Sequence, residues 1–144
     1  MNLLHAAHPL PLRKPMAELY PVFKEAHFFL SRFGLILGLI MGLIAVYIGL
    51  IRHGDVTRWF RRGVYGMTGL VALEALLGLT MYALGGRPYE EVHLIYGVGA
   101  LLSLPFFIFV ERTATKRPAM GSYIWGCFLL AAIFLRSIMT GAAG

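Results

Sequence analysis

LEALLGLTMYALGGRPYEEVHLIYGVGALL, residues 73–102, holds the end of one apolar helix, a tight turn at Gly85-Gly86-Arg87-Pro88 and the start of another helix. Two ionisable residues, Glu74 and His93, sit in this apolar run. Ionisable groups in a bilayer are costly and mark functional sites by default. The turn is too short for anything but an antiparallel neighbour, so the stretch reads as a helical hairpin.

The rest of the chain fits a membrane protein. Of its 144 residues 58% are hydrophobic and 14% charged, against about a quarter charged in soluble domains. One domain suits the length. A first spanning helix is expected at about 22–52, a second at 63–84, a third at 89–110 and a fourth at 122–139. The fold class is therefore all-α, a four-helix up-down transmembrane bundle. The run Phe33 to Ile51 is 19 residues without a charge, long enough to cross a hydrocarbon core of roughly 30 Å. Residues 1–21 carry Pro9, Pro11, Pro15 and Pro21 and are expected to form an extramembrane segment without a useful helix. His5 and His8 in this segment lack further ligands nearby and read as part of a polar tail.

Small residues mark two helices. Gly34, Gly38 and Gly42 repeat every fourth residue, a strip where another helix or a flat ring can approach closely. Gly63, Gly66, Gly69, Ala72, Ala75 and Gly78 repeat every third, so this second strip winds round its helix. The single cysteine, Cys127, lies in an apolar run and reads as a small filler. It cannot form an internal disulfide, and covalent c-type haem attachment is excluded because Cys-x-x-Cys-His is absent.

The net charge of +6 does not point to nucleic acid, because the basic residues cluster at the ends of apolar runs. Arg52, Arg58, Arg61 and Arg62, then Arg112, Lys116 and Arg117, fall in two loops on one side; only Arg87 lies in the loop on the other. The positive-inside rule puts the seven in the cytoplasm and both termini outside. Arg13, Lys14 and Lys24 count against that orientation. The setting expected is the bacterial cytoplasmic (inner) membrane.

His27 falls about five residues into the first expected helix and His93 about four into the third. Both then lie roughly 6–8 Å below the outer helix ends. The first and third helices of an up-down bundle are diagonal partners, so two imidazoles at matched depth can hold a haem iron from both faces. Arg32, Arg87 and Arg136 are candidate partners for the haem propionates, since guanidinium pairs well with carboxylate. Glu74 lies about 15 Å from the outer end of its helix, where it would be below the histidines as a buried acid. Each histidine taken alone also reads as an interfacial residue, and each arginine as one that snorkels to the interface. His53 reads as a solvated loop residue, and Tyr82 and Tyr96 as packing and belt residues.

LEALLG followed by the turn and VHLIYGVGALL resembles haem A synthase, in which a Q-x-L-L-G-like stretch precedes a helix opening with a haem-ligand histidine. Glu25-Ala26-His27 is loosely similar to that family's acidic residue and histidine at the head of a helix. The resemblance covers Glu25 to Phe33 and Leu73 to Leu102, and it implies that His27 and His93 are the axial pair of one half-molecule. The chain departs from the family in having four helices rather than eight, Phe28 after the histidine rather than arginine, and Glu74 where glutamine is usual. The synthase activity is not carried over; a scaffold for one haem b is.

Two functions are thus expected as alternatives. One is a haem-b subunit for electron transfer in a respiratory or photosynthetic membrane complex. Paired axial imidazoles suit electron transfer rather than oxygen chemistry, so this reading leans against an enzyme. The other is an accessory subunit of such a complex, binding lipid or pigment. Quinone or a chlorophyll-type pigment stands as the alternative to haem, and the bilayer and other subunits are the partners in both.

Overall fold

The computed structural model describes residues 14–113 and 119–141, side chains from residue 18 onward in the first helix and from 120 onward in the last. Four long helices follow one another: α1 Lys14–Val46, continued by a π-helical turn Tyr47–Ile51, then α2 Arg58–Ala83, α3 Val92–Thr113 and α4 Ala119–Gly141. All four are long and apolar enough to cross a membrane. Consecutive helices pack side by side and α4 closes the ring against α1, leaving α1/α3 and α2/α4 as diagonals. The α2–α3 contact is the loosest of the four. The all-α, up-down bundle expected from the sequence is the observed fold.

The helix limits differ from those expected. α1 begins at Lys14, not near Val22, and runs through Pro21, so residues 14–21 of the segment expected to lack a helix are helical. Proline removes one main-chain donor and crowds the preceding turn, but a long helix survives that single loss. α2 begins at Arg58, five residues before Gly63, where Thr57 caps it by accepting from the Phe60 N–H at 3.4 Å. The α2–α3 turn is held by Gly85 at φ +94°, a left-handed conformation that favours glycine. Next to it, Gly86 lies so close to the Tyr20 hydroxyl that a Cβ would sit 2.5 Å from it. His5 and His8, Arg13, and Lys116 and Arg117 lie outside the described residues.

Each helix buries a stripe spaced alternately by three and four residues, the seam of a packed bundle. On α2 the stripe is Phe60, Val64, Met67, Val71 and Glu74; on α4 it is Met120, Tyr123, Cys127, Leu130, Phe134 and Ser137. On α1 it runs inward through Ser31, Gly34, Gly38, Met41, Ala45 and Ile48. Near the basic end of the bundle the stripes carry large apolar side chains, and these form the core. Toward the α2–α3 turn they become serine, glutamate, glycine and histidine. That end is therefore underfilled.

The strip Gly34, Gly38, Gly42 meets a helix, not a ring. A Cβ at Gly34 would stand 2.7 Å from the Phe134 ring, and one at Gly38 would touch Ala131 and the Cys127 carbonyl at 3.4 and 3.5 Å. On α2, by contrast, Gly66 and Gly69 have nothing within 4 Å and face outward. Cys127 is fully buried, as a filler should be. At the basic end Arg61 donates to Glu111 at 2.8 Å, and the Tyr123 hydroxyl donates to the same carboxylate at 3.2 Å. This tie between α2, α3 and α4 had no sequence signal, since its members lie far apart in the chain.

Gly38→Leu should force α1 off the α4 backbone. Overpacking of this kind costs about 1–3 kcal/mol, read as a lowered midpoint of thermal unfolding in detergent. Gly66→Ala, on the open face, should leave the midpoint unchanged or raise it.

Candidate functional site

The stripes bring His27 and His93 together at the underfilled end. Their ring centroids are 6.2 Å apart and the rings are crossed at 76°. The arrangement does not depend on the helix starts expected from the sequence. His27 is the fourteenth residue of α1 and His93 the second of α3, yet they stand at one level, because the first turns of α1 project beyond the other helices.

Each ring is fixed by the next helix in the chain. His27 Nδ1 lies 3.2 Å from the Glu74 carbonyl oxygen on α2, and His93 Nδ1 lies 3.0 Å from the Ser137 carbonyl oxygen on α4. A carbonyl only accepts, so each Nδ1 carries the hydrogen and donates it. In the neutral form of either ring the lone pair is then on Nε2. This is how metal-binding imidazoles are commonly set, the second ring nitrogen anchored to a carbonyl or carboxylate.

Glu74 is buried beside His27 and Ser31, the residue one turn further along α1. One carboxylate oxygen accepts from the Ser31 hydroxyl at 2.5 Å and lies 3.9 Å from His27 Nδ1. Ser31 also contacts the His27 carbonyl oxygen at 2.9 Å. The corresponding neighbour of His93 is the Ser137 hydroxyl, 3.3 Å from Nδ1. The two histidines therefore differ in one respect: only His27 has a carboxyl group beside it.

Around the rings is a cavity of about 720 Å³, lined by all four helices and the α2–α3 turn. Cofactor sites span about 300–1,000 Å³. The cavity is open at its rim rather than sealed, so a ligand or lipid chain could enter it. Its walls are mostly apolar, with Phe28, Leu79, Val98, Leu101 and Phe134 among them, and its rim carries Tyr20, Lys24, Glu25 and Arg87.

Of the three arginines expected at the site, only Arg87 reaches this lining. It donates to the Tyr82 and Gly86 carbonyls at 3.1 and 3.0 Å and lies 4.2 Å from the centre of the Tyr82 ring. Arg32 is exposed and covers the Phe28 ring of its own helix at 3.9 Å. Arg136 is exposed and lies 5.9 Å from the centre of the Tyr96 ring. Lys24 takes the second cationic place at the rim. It was missed because the start expected for α1 left it near a helix end with no partner in view. His53 is in the α1–α2 loop, exposed, at φ +48°.

What could fill the site follows from the donors. Among the described residues no group of three or more His, Cys, Asp or Glu is placed to hold a bare metal ion. Two imidazoles suffice only for a metal that brings its own equatorial ligands, as in a tetrapyrrole. With metal–imidazole bonds of about 2.0 Å and each ring centroid about 1.1 Å behind its nitrogen, two imidazoles on opposite sides of one metal would have centroids about 6.2 Å apart. The observed 6.2 Å has this length, which also falls within the roughly 4.5–7 Å of ordinary edge-to-face ring contact. No family model matches the chain, and neither does any curated protein or solved structure.

Ser31→Ala would leave the buried Glu74 carboxyl without its hydroxyl partner. An unsatisfied buried polar group costs about 1–3 kcal/mol, so the thermal midpoint in detergent should fall. Pairing Ser31→Ala with Glu74→Leu should recover most of the loss.

Proposed function

We propose that this chain is an integral membrane b-type haem-binding subunit that transfers electrons within a respiratory or photosynthetic membrane complex. The observation that carries this reading is the His27–His93 pair, crossed at 6.2 Å with both Nδ1 atoms committed to main-chain carbonyls. Bound between them, haem b would supply a one-electron carrier.

The residues divide the work as follows. His27 and His93 would hold the iron through Nε2, which suits electron transfer rather than oxygen chemistry. Lys24 and Arg87 at the rim suit the two carboxylates of the porphyrin, since cations pair with carboxylates in charge-assisted bonds. Arg32 and Arg136, exposed at the same end, serve the membrane surface instead. The apolar walls keep water from the ring and strengthen electrostatic interactions inside. Glu74 and Ser31 place a carboxyl group against His27 and no counterpart against His93, so the two sides of the ring meet different fields.

The membrane assignment follows the same lines. Arg52, Arg58, Arg62 and Arg112 are exposed at the end remote from the histidines, and the positive-inside rule assigns that end to the cytoplasm. Both termini and the haem then lie toward the outer face of a bacterial inner membrane. The bare lane at Gly66 and Gly69 favours close approach by a helix of a neighbouring subunit. That lane supports the accessory-subunit reading as well, with lipid or a chlorophyll-type pigment in the cavity. The sequence resemblance read from residues 25–33 and 73–102 is what favours haem over these.

Purified protein should show a reduced-minus-oxidised b-type absorption spectrum. His27→Ala and His93→Ala should each abolish it while the protein remains helical and in the membrane fraction. A chlorophyll-type spectrum, or no bound tetrapyrrole in wild-type protein, would favour the accessory subunit.

A further inference from the structure

The histidines sit in the same local frame twice. His27 is followed onto α2, where the Glu74 carbonyl takes its Nδ1–H and Gly78 comes one turn later. His93 is followed onto α4, where the Ser137 carbonyl takes its Nδ1–H and Gly141 comes one turn later. Both glycines press on the same edge of their ring. A Cβ at Gly78 would lie 3.1 Å from His27 Cε1; a Cβ at Gly141 would lie 2.7 Å from His93 Cε1 and 2.9 Å from Nδ1. Any side chain at either place would meet the imidazole.

We infer that Gly78 and Gly141 are positioning residues: with the carbonyl one turn before each, they fix the tautomer and rotation of His27 and His93 and so hold the two rings crossed. The bond to the carbonyl selects which nitrogen carries the hydrogen. The missing side chain lets the ring lie against the helix backbone within reach of that carbonyl. Remove the space and the ring must turn, which breaks the Nδ1–H bond and redirects Nε2. The consequence for haem rests on the reading of the histidine pair as axial ligands; the consequence for the rings does not.

The two sites should respond unequally. At Gly141 the added methyl would fall under 3.0 Å, so the ring has to move. At Gly78 a shift of a few tenths of an ångström suffices. Alanine favours helix over glycine, so neither substitution should unfold its helix, and Gly66→Ala serves as the control with nothing within 4 Å.

The test uses full-length protein in detergent, labelled with 15N-histidine and observed by NMR without haem, then titrated with haem b. Wild type should show Nδ1-protonated signals from both histidines. Gly141→Ala should lose that signature at His93 alone and weaken haem binding by tenfold or more. Gly78→Ala should disturb His27 alone and weaken binding less, and Gly66→Ala should match wild type. Unchanged His93 signals in Gly141→Ala would overturn the inference, as would equal changes in all three variants. Should the ring signals shift as expected while wild type binds no haem, the positioning role stands and the haem reading falls.

Discussion

Two hydrogen bonds, from the imidazoles of His27 and His93 to the Glu74 and Ser137 carbonyls, decide what this end of the bundle can be. They fix which nitrogen of each ring carries the bonded hydrogen and keep the rings from collapsing into the space between them. Without them a histidine in an apolar bundle would turn toward the membrane surface, where its polar atoms find water. The 6.2 Å separation has chemical meaning because these bonds make it a defined geometry.

The hollow in which they sit depends on the packed half below it. Large side chains fill the seams near the basic end, and the tie among Arg61, Glu111 and Tyr123 joins three helices there. The glycines of α1 let α4 come close without side chains between them. Those contacts fix the helices, so the outer half of each seam is free to carry groups that contribute little packing. Stability and site are thus separated along the bundle axis, one half supplying each.

Much of this was legible in the sequence, and the failures have physical causes. Four apolar runs with short or basic links gave the bundle, and the hairpin rule gave diagonal placement of His27 and His93. The expected depth match rested on wrong helix starts: Pro21 lies inside a helix, so α1 is longer than its prolines suggest. What turned both rings inward was the seam. His27, Ser31, Gly34, Gly38 and Met41 are spaced by four and three, as are His93, Gly97, Ala100 and Leu104, and this spacing could have been read beforehand. On α2 the every-third-residue glycines drew attention from Phe60, Val64, Met67, Val71 and Glu74, the stripe that is buried. Lys24, Arg32 and Arg136 could not be sorted by sequence, because burial at a rim depends on where a long side chain finds room.

The account turns on two crossed imidazoles sharing one iron, and low-temperature electron paramagnetic resonance of the oxidised, haem-loaded protein tests it most directly. Rings fixed near perpendicular should give the strongly anisotropic low-spin signal characteristic of crossed axial imidazoles. A high-spin signal, or the rhombic low-spin signal of parallel rings, would contradict it.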